Sequence, residues 1–150
     1  MPSTHTNLLY HIIFSTKCRI PLITNNLQEE LYRYIGGIIR AEGGVLLEIG
    51  GTKDHLHLLA KFKPAISVSE MLGRIKANSS KWANENKMKL RKFGWQEGYA
   101  AFSVSESQVP VVTNYIRGQE EHHRKQTFQE EYVALLQKHG IEYDEKYLWD

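Results

Sequence analysis

The 150-residue chain carries 19 Lys and Arg against 17 Asp and Glu, a formal net charge of +2, with 41% hydrophobic and 24% charged residues. That balance fits one soluble globular domain over residues 1–150 and excludes an intrinsically disordered chain. One cysteine, Cys18, excludes an intrachain disulfide. Met1–Thr6 lacks a leader pattern, and no apolar run approaches the roughly 20 residues of a membrane span, so a cytoplasmic, reducing setting without a membrane partner is expected.

Taken in order, Asn7–Thr16 is rich in aromatic and β-branched residues and predicts a buried strand, closed by a loop at Pro21. Leu27, Leu31, Tyr34, Ile35, Ile38 and Ile39 fall on one stripe and predict a helix over about Thr24–Glu42, with Thr24 or Asn26 as cap and Gly43-Gly44 as its end. Val45–Ile49 and His55–Lys61 predict a hairpin whose turn is Gly50–Asp54. Strand alternation puts His55 and His57 on one face, with Leu59 beyond them, and Leu56, Leu58, Ala60 and Phe62 on the other. Two imidazoles so placed can hold one metal ion, or be two ordinary histidines of a half-buried sheet.

A second helix is expected over about Ser67–Asn84, where Ser67 and Glu70 have capping-box form, then a basic loop to Gly98 and a fourth strand at Ala101–Ser105. The order strand, helix, strand, strand, helix, strand is the split βαβ, ferredoxin-like arrangement: an α+β fold with one antiparallel sheet and helices on one face. The opposite face is left free, and the two histidines sit there if Leu56 and Leu58 face the helices. A third helix, about Ser107–His123, carries Tyr115 and Gln119 one turn apart. By periodicity alone Tyr115 is a packing residue. His122 and His123 point about 100° apart on a helix, so they do not share an ion and read as a polar helix end. A short helix, Phe128–His139, and an acidic, aromatic tail follow.

Charge is unevenly placed. Arg74, Lys76, Lys81, Lys87, Lys89, Arg91 and Lys92 face one acid, Glu85, over the same stretch, with Trp82 inside the block and Phe93 and Trp95 just after it. Cations for phosphates and rings for bases suit a nucleic-acid surface, and a solvated helix face followed by a loop has the same look.

His55-Leu56-His57 is similar to the His-hydrophobic-His (HUH) motif, and Tyr115-Ile116-Arg117-Gly118-Gln119 resembles the Tyr-x-x-x-Gln motif of single-tyrosine HUH transposases. The likeness runs from Tyr10-His11-Ile12-Ile13-Phe14 through Phe93–Tyr99, Ala101–Ser105 and Gln119–Arg124 to Tyr143–Trp149. These are small enzymes of insertion sequences that move as single-stranded DNA; relatives are associated with repeated palindromes. The resemblance implies that Tyr115 is the catalytic nucleophile and forms a 5′-phosphotyrosine. It implies that His55, His57 and Gln119 bind one divalent metal, Mg²⁺ or Mn²⁺, and that the substrate is single-stranded DNA with hairpin ends. It also implies a homodimer in which Tyr115 of one subunit can serve the histidines of the other. Arg74, Lys76, Lys81, Lys87, Lys89, Arg91, Lys92 and Trp95 are the expected DNA contacts. Two rivals stand beside it. A phosphodiesterase with two His-x-Ser/Thr motifs lacks its second motif here. A domesticated module that grips hairpin DNA without cutting is opposed by the four intact site residues.

Overall fold

A computed structural model of the chain describes residues 3–149. Four strands, β1 (Leu8–Ser15), β2 (Val45–Gly51), β3 (His55–Phe62) and β4 (Ala100–Val104), form one antiparallel sheet in the order β2-β3-β1-β4. This is the expected α+β, ferredoxin-like topology. β1 and β3 are the central strands and carry the most continuous apolar runs, as strands covered on both faces must.

Helices α1 (Asn25–Ala41) and α2 (Val68–Asn86) cover one face. The α1 stripe of Leu27, Leu31, Ile35 and Ile39 meets Met71, Leu72 and Ile75 of α2 and the strand residues Ile12, Phe14, Leu56, Leu58, Ala60 and Phe62 in the main core. Gly43, at φ +77°, ends α1 in the left-handed conformation that a side chain resists. The Ser67 hydroxyl caps α2 by accepting from the Glu70 N–H at 3.1 Å.

The other face departs from expectation. It is not free: α3 (Val109–Arg117), α4 (Gln119–His122) and α5 (Phe128–Lys138) lie on it. Phe128, Tyr132 and Leu136 of α5, spaced four apart, pack on Ile13, Ala100 and Phe102 in a second core. The single helix expected from Ser107 to His123 is broken at Gly118, which separates α3 from α4. A Thr127–Glu130 capping box, with hydroxyl and carboxylate each bonded to the other residue's backbone N–H, starts α5.

The hairpin turn is also shorter than expected. Gly50 and Gly51 belong to β2, paired with His57 and Leu56, and the chain reverses over Thr52–Asp54. Gly50 sits directly under α3. A methyl group there would stand 2.7 Å from the Ile116 carbonyl oxygen, so the bare backbone is what lets α3 descend onto the sheet beside His57. Gly36 and Gly37, inside α1, have side chains of Arg40 and Leu46 nearest them and not the backbone of another element.

Candidate active site

The register of β1 against β3 sets the site. Ser15 lies opposite His55, Ile13 opposite His57 and His11 opposite Leu59, so His11 is the diagonal neighbour of His57 on the same face. His55 and His57 are both fully buried. The Nδ1 of His55 lies 2.8 Å from Asp54 Oδ1, and the Thr52 hydroxyl donates to the same oxygen at 2.9 Å. Holding Nδ1 in this way turns Nε2 toward the C-terminal helices, where Gln119 Oε1 is 3.0 Å away. His57 likewise turns Nε2 toward α5 and keeps Nδ1 against the Nε2 of His11, at 2.8 Å.

The centre of the site is Glu131, a carboxylate only 1% exposed. Its Oε1 is 2.9 Å from His123 Nε2, 3.1 Å from His57 Nε2 and 3.5 Å from His55 Nε2. Its Oε2 accepts from Gln119 Nε2 at 3.0 Å and from the Tyr115 hydroxyl. His55, His57, His123 and Glu131 can each turn one ligand atom inward, all within 4.8 Å of one another, a spacing that could hold a metal ion. Three imidazoles with a carboxylate form a mixed N/O set suited to a transition-series divalent ion such as Mn²⁺ better than to Mg²⁺.

The electrostatics follow from burial and this convergence. Burial works to raise Glu131, but the hydrogen bonds it accepts from His123, His57 and Tyr115 hold it far below the usual carboxylate range. Burial lowers His57 and pushes His11 down to about 3, so both rings are neutral. Burial alone would lower His123, yet its bond to Glu131 leaves it above the ordinary value. Burial, then the bond to Glu131 and that carboxylate's charge, raise the Tyr115 hydroxyl, which is a phenol and not a phenolate in this arrangement.

The structure therefore brings together His55, His57, Tyr115 and Gln119, and does so within one chain. Two members of the cluster were not anticipated. His123, read as part of a polar helix end, sits just past α4 and faces the strand histidines. Glu131 has a visible signal: it falls at the third position after Phe128, on the apolar stripe of α5.

The basic block fares differently. Trp95 is not available for stacking: it is 8% exposed, packs edge-on against Phe14 and Phe93, and donates its indole N–H to Ser79 Oγ at 3.0 Å. Lys76 is not a free cation either. Its ammonium donates to the carbonyls of Gln96, Glu97 and Gly98 at 3.0, 3.1 and 2.6 Å, and burial draws it down to about 8. Arg74 pairs with Glu42, and Lys87 with Glu30 at 2.7 Å. Lys81, Lys89, Arg91 and Lys92 are exposed.

Among the described residues no helix is long and apolar enough to cross a membrane. Residues 4–119 match the family described as "Transposase IS200 like". That match ends at Gln119, before His123 and Glu131. The chain is 30% identical over 126 residues to the transposases for insertion sequence element IS200 of Salmonella typhimurium and Salmonella typhi, covering 77% of this chain and 79% of each relative. Its fold is similar to that of a putative transposase from Deinococcus radiodurans, with a TM-score of 0.64 and 21% identity over 79% of this chain and 95% of the other. It is also similar to a REP-associated tyrosine transposase bound to a REP hairpin, with a TM-score of 0.60 and 15% identity over 82% and 74% of the two chains. The chain belongs to the IS200-like transposase family.

Proposed function

We propose that this protein cleaves and rejoins single-stranded DNA through a covalent tyrosine link, and that it does so on hairpin-bearing element ends. The observation that carries the reading is the convergence of the Tyr115 hydroxyl and the His55–His57 pair on one carboxylate. Tyr115 attacks the scissile phosphorus. A Tyr–O–P bond forms as the Tyr115 hydroxyl gives up its proton, the P–O3′ bond breaks, and the departing 3′ oxygen takes up a proton in its place, so the exchange is proton-neutral. The 5′-phosphotyrosine keeps the bond energy, so a 3′-hydroxyl can later attack it and release the tyrosine without ATP.

Tyr115 is a phenol before substrate arrives, and its bond to Glu131 keeps the ring aimed into the site. The three imidazoles, Gln119 and Glu131 fit a divalent ion, Mn²⁺ or Mg²⁺, which when bound polarises and orients the scissile phosphate. His55, His57 and Gln119 are the ligands the family resemblance implies; Glu131 and His123 are further donors in reach. Affinities of the Gln119→Ala, Glu131→Gln and His123→Ala variants for Mn²⁺ separate the two sets. Asp54 orients His55 for this role, and α3–α5 keep bulk water off the buried imidazoles.

We infer that DNA reaches the site past two cavities that carry basic side chains. Lys87, Lys89 and Arg91 wall a cavity with Leu22, Thr24 and Asn26, and the next cavity, walled by Pro21, Asn25, Lys53 and Arg124, reaches His123. Lys81, Lys89, Arg91, Lys92 and the more loosely paired Arg74 and Lys87 offer phosphate contacts along or beside it. The REP-associated transposase of similar fold is bound to a hairpin, which supports hairpin recognition here.

The deciding experiment is a denaturing gel of the protein with a labelled single-stranded element end and Mn²⁺ or Mg²⁺. A shifted, metal-dependent band that is absent in Tyr115→Phe supports the reading. A band that persists in that variant overturns the nucleophile, and tight hairpin binding with no band puts the domesticated binding module ahead. Because one chain holds both halves of the site, we infer that Tyr115 acts in cis. Mixing Tyr115→Phe with His57→Ala protein restores the band only if a homodimer works in trans.

A further inference from the structure

His55 and His57 face the same centre, but their far nitrogens are held by different chemistry. Asp54 is acceptor-only when ionised, so His55 keeps a hydrogen on Nδ1 whatever its Nε2 meets. His57 has another imidazole instead: His11, 5% exposed on β1, with ring centroids 5.1 Å apart and stacked at 27°. A neutral imidazole carries one N–H and one lone pair, and the 2.8 Å contact between His11 Nε2 and His57 Nδ1 needs one of each.

Which ring donates depends on what His57 does at its other nitrogen. Without metal, Nε2 faces the Glu131 carboxylate at 3.1 Å and must donate to it. His57 Nδ1 is then an acceptor, and His11 supplies the hydrogen from Nε2. A ligand to metal through Nε2 needs that lone pair free, which moves the ring hydrogen to Nδ1. His11 must then accept, with its own hydrogen on Nδ1.

We propose that His11 is a positioning residue that adapts His57 to metal by exchanging tautomer with it. The inference rests on the reading that His55 and His57 hold the metal. The proton count balances. One proton leaves His57 Nε2, one passes from His11 Nε2 to His57 Nδ1, and one is taken up at His11 Nδ1, so each ring ends with a single N–H. His11 also lines a cavity of about 310 Å³ between β4, α3 and α5, which gives it a route of exchange with solvent. Phe or Leu in its place would leave His57 Nδ1 buried without a partner in both states.

The test uses the full chain with ¹⁵N-labelled histidine and the diamagnetic probe Zn²⁺. Long-range ¹H–¹⁵N spectra report which nitrogen of each ring carries hydrogen, with His11→Asn supplying the assignment. The expected result is Nε2–H on both His11 and His57 without metal and Nδ1–H on both with Zn²⁺. A metal shift at His57 with His11 unchanged overturns the proposal alone. No shift at His55 or His57 overturns both the proposal and the metal reading beneath it. Zn²⁺ affinity by calorimetry gives a second readout. His11→Phe should bind roughly 10–100-fold more weakly, as loss of an outer partner does, and His11→Gln, whose amide can donate or accept, should recover most of it. Wild-type affinity in a folded His11→Phe overturns the role, and if that variant does not fold, the wild-type spectra still decide.

Discussion

Gly50→Ala is the sharpest probe of how the fold builds the site. The added methyl would stand 2.7 Å from the Ile116 carbonyl oxygen and 3.0 Å from Ile116 Cγ2. The first distance is about 0.7 Å short of ordinary contact at 3.4 Å, and a backbone oxygen cannot rotate away. No positive φ is required at Gly50, so the cost is purely steric. Relief comes from lifting α3, which carries Tyr115 and leads into Gln119. Overpacking of this kind costs about 1–3 kcal/mol, at about 2–4 °C of Tm per kcal/mol for a chain of this size. A misplacement near 1 Å costs roughly 100-fold in rate, so a single-turnover adduct rate about 10–100-fold below wild type is expected. Gly73→Ala is the control: nothing lies within 4 Å of that position inside α2, and it should be neutral or stabilising by up to about 1 kcal/mol. Urea unfolding and adduct formation at saturating DNA and metal measure both. A Gly50→Ala protein with wild-type stability and rate would refute the argument that bare backbone under Ile116 seats the tyrosine helix.

Other consequences are equally direct. Glu131→Gln removes the only carboxylate in the donor cluster, so Mn²⁺ affinity should fall by at least the roughly 10–100-fold that losing an outer-shell partner costs; unchanged calorimetric affinity would take Glu131 out of the ligand set. Metal-free stability should fall in acid. His11 has a folded pKa of about 3 against an ordinary 6.5, so the folded state binds fewer protons and its contribution is present above pH 6.5 and lost as pH falls toward 3. At about 1.4 kcal/mol per unit this is about 2–3 kcal/mol between pH 6.5 and 4.5. Glu131 and His57, both lowered, add in the same sense, whereas His123, raised, loses its contribution as pH climbs through its folded value. A flat urea-stability profile from pH 6.5 to 4.5 would contradict this, and His11→Phe should flatten it by about one proton. Lys76→Ala should loosen the Gln96–Gly98 loop at a cost of about 1–3 kcal/mol while leaving the salt slope of DNA binding unchanged, whereas Lys89→Ala, Arg91→Ala or Lys92→Ala should each reduce that slope by about one. The opposite pattern in a salt series would return Lys76 to the DNA surface.

The contrast between what could and could not be read from the residues has a physical cause. Alternation along a strand has a period of two, so the placing of His55 and His57 on one face and of Leu56 and Leu58 on the other follows from sequence alone. Spacing on a helix is nearly as direct, and Tyr115 and Gln119 meet the same Glu131 oxygen although Gly118 breaks the helix between them. What periodicity cannot say is which elements share a face. The Phe128, Tyr132 and Leu136 stripe marks a buried helix, but nothing local shows that it seals the histidine face of the sheet. The same gap hid the two extra donors. The argument that His122 and His123 point apart is sound for the pair, and it says nothing about His123 meeting a strand brought in from elsewhere in the chain. Glu130 and Glu131 look alike in sequence, yet one is spent on the Thr127 cap at the surface and the other sits on the apolar stripe. An acid on that stripe cannot be buried unpaired, so it implies cations or donors converging from other elements. That implication is local and was available; only the fold could say that the donors are the tyrosine, the glutamine and the histidines of one site.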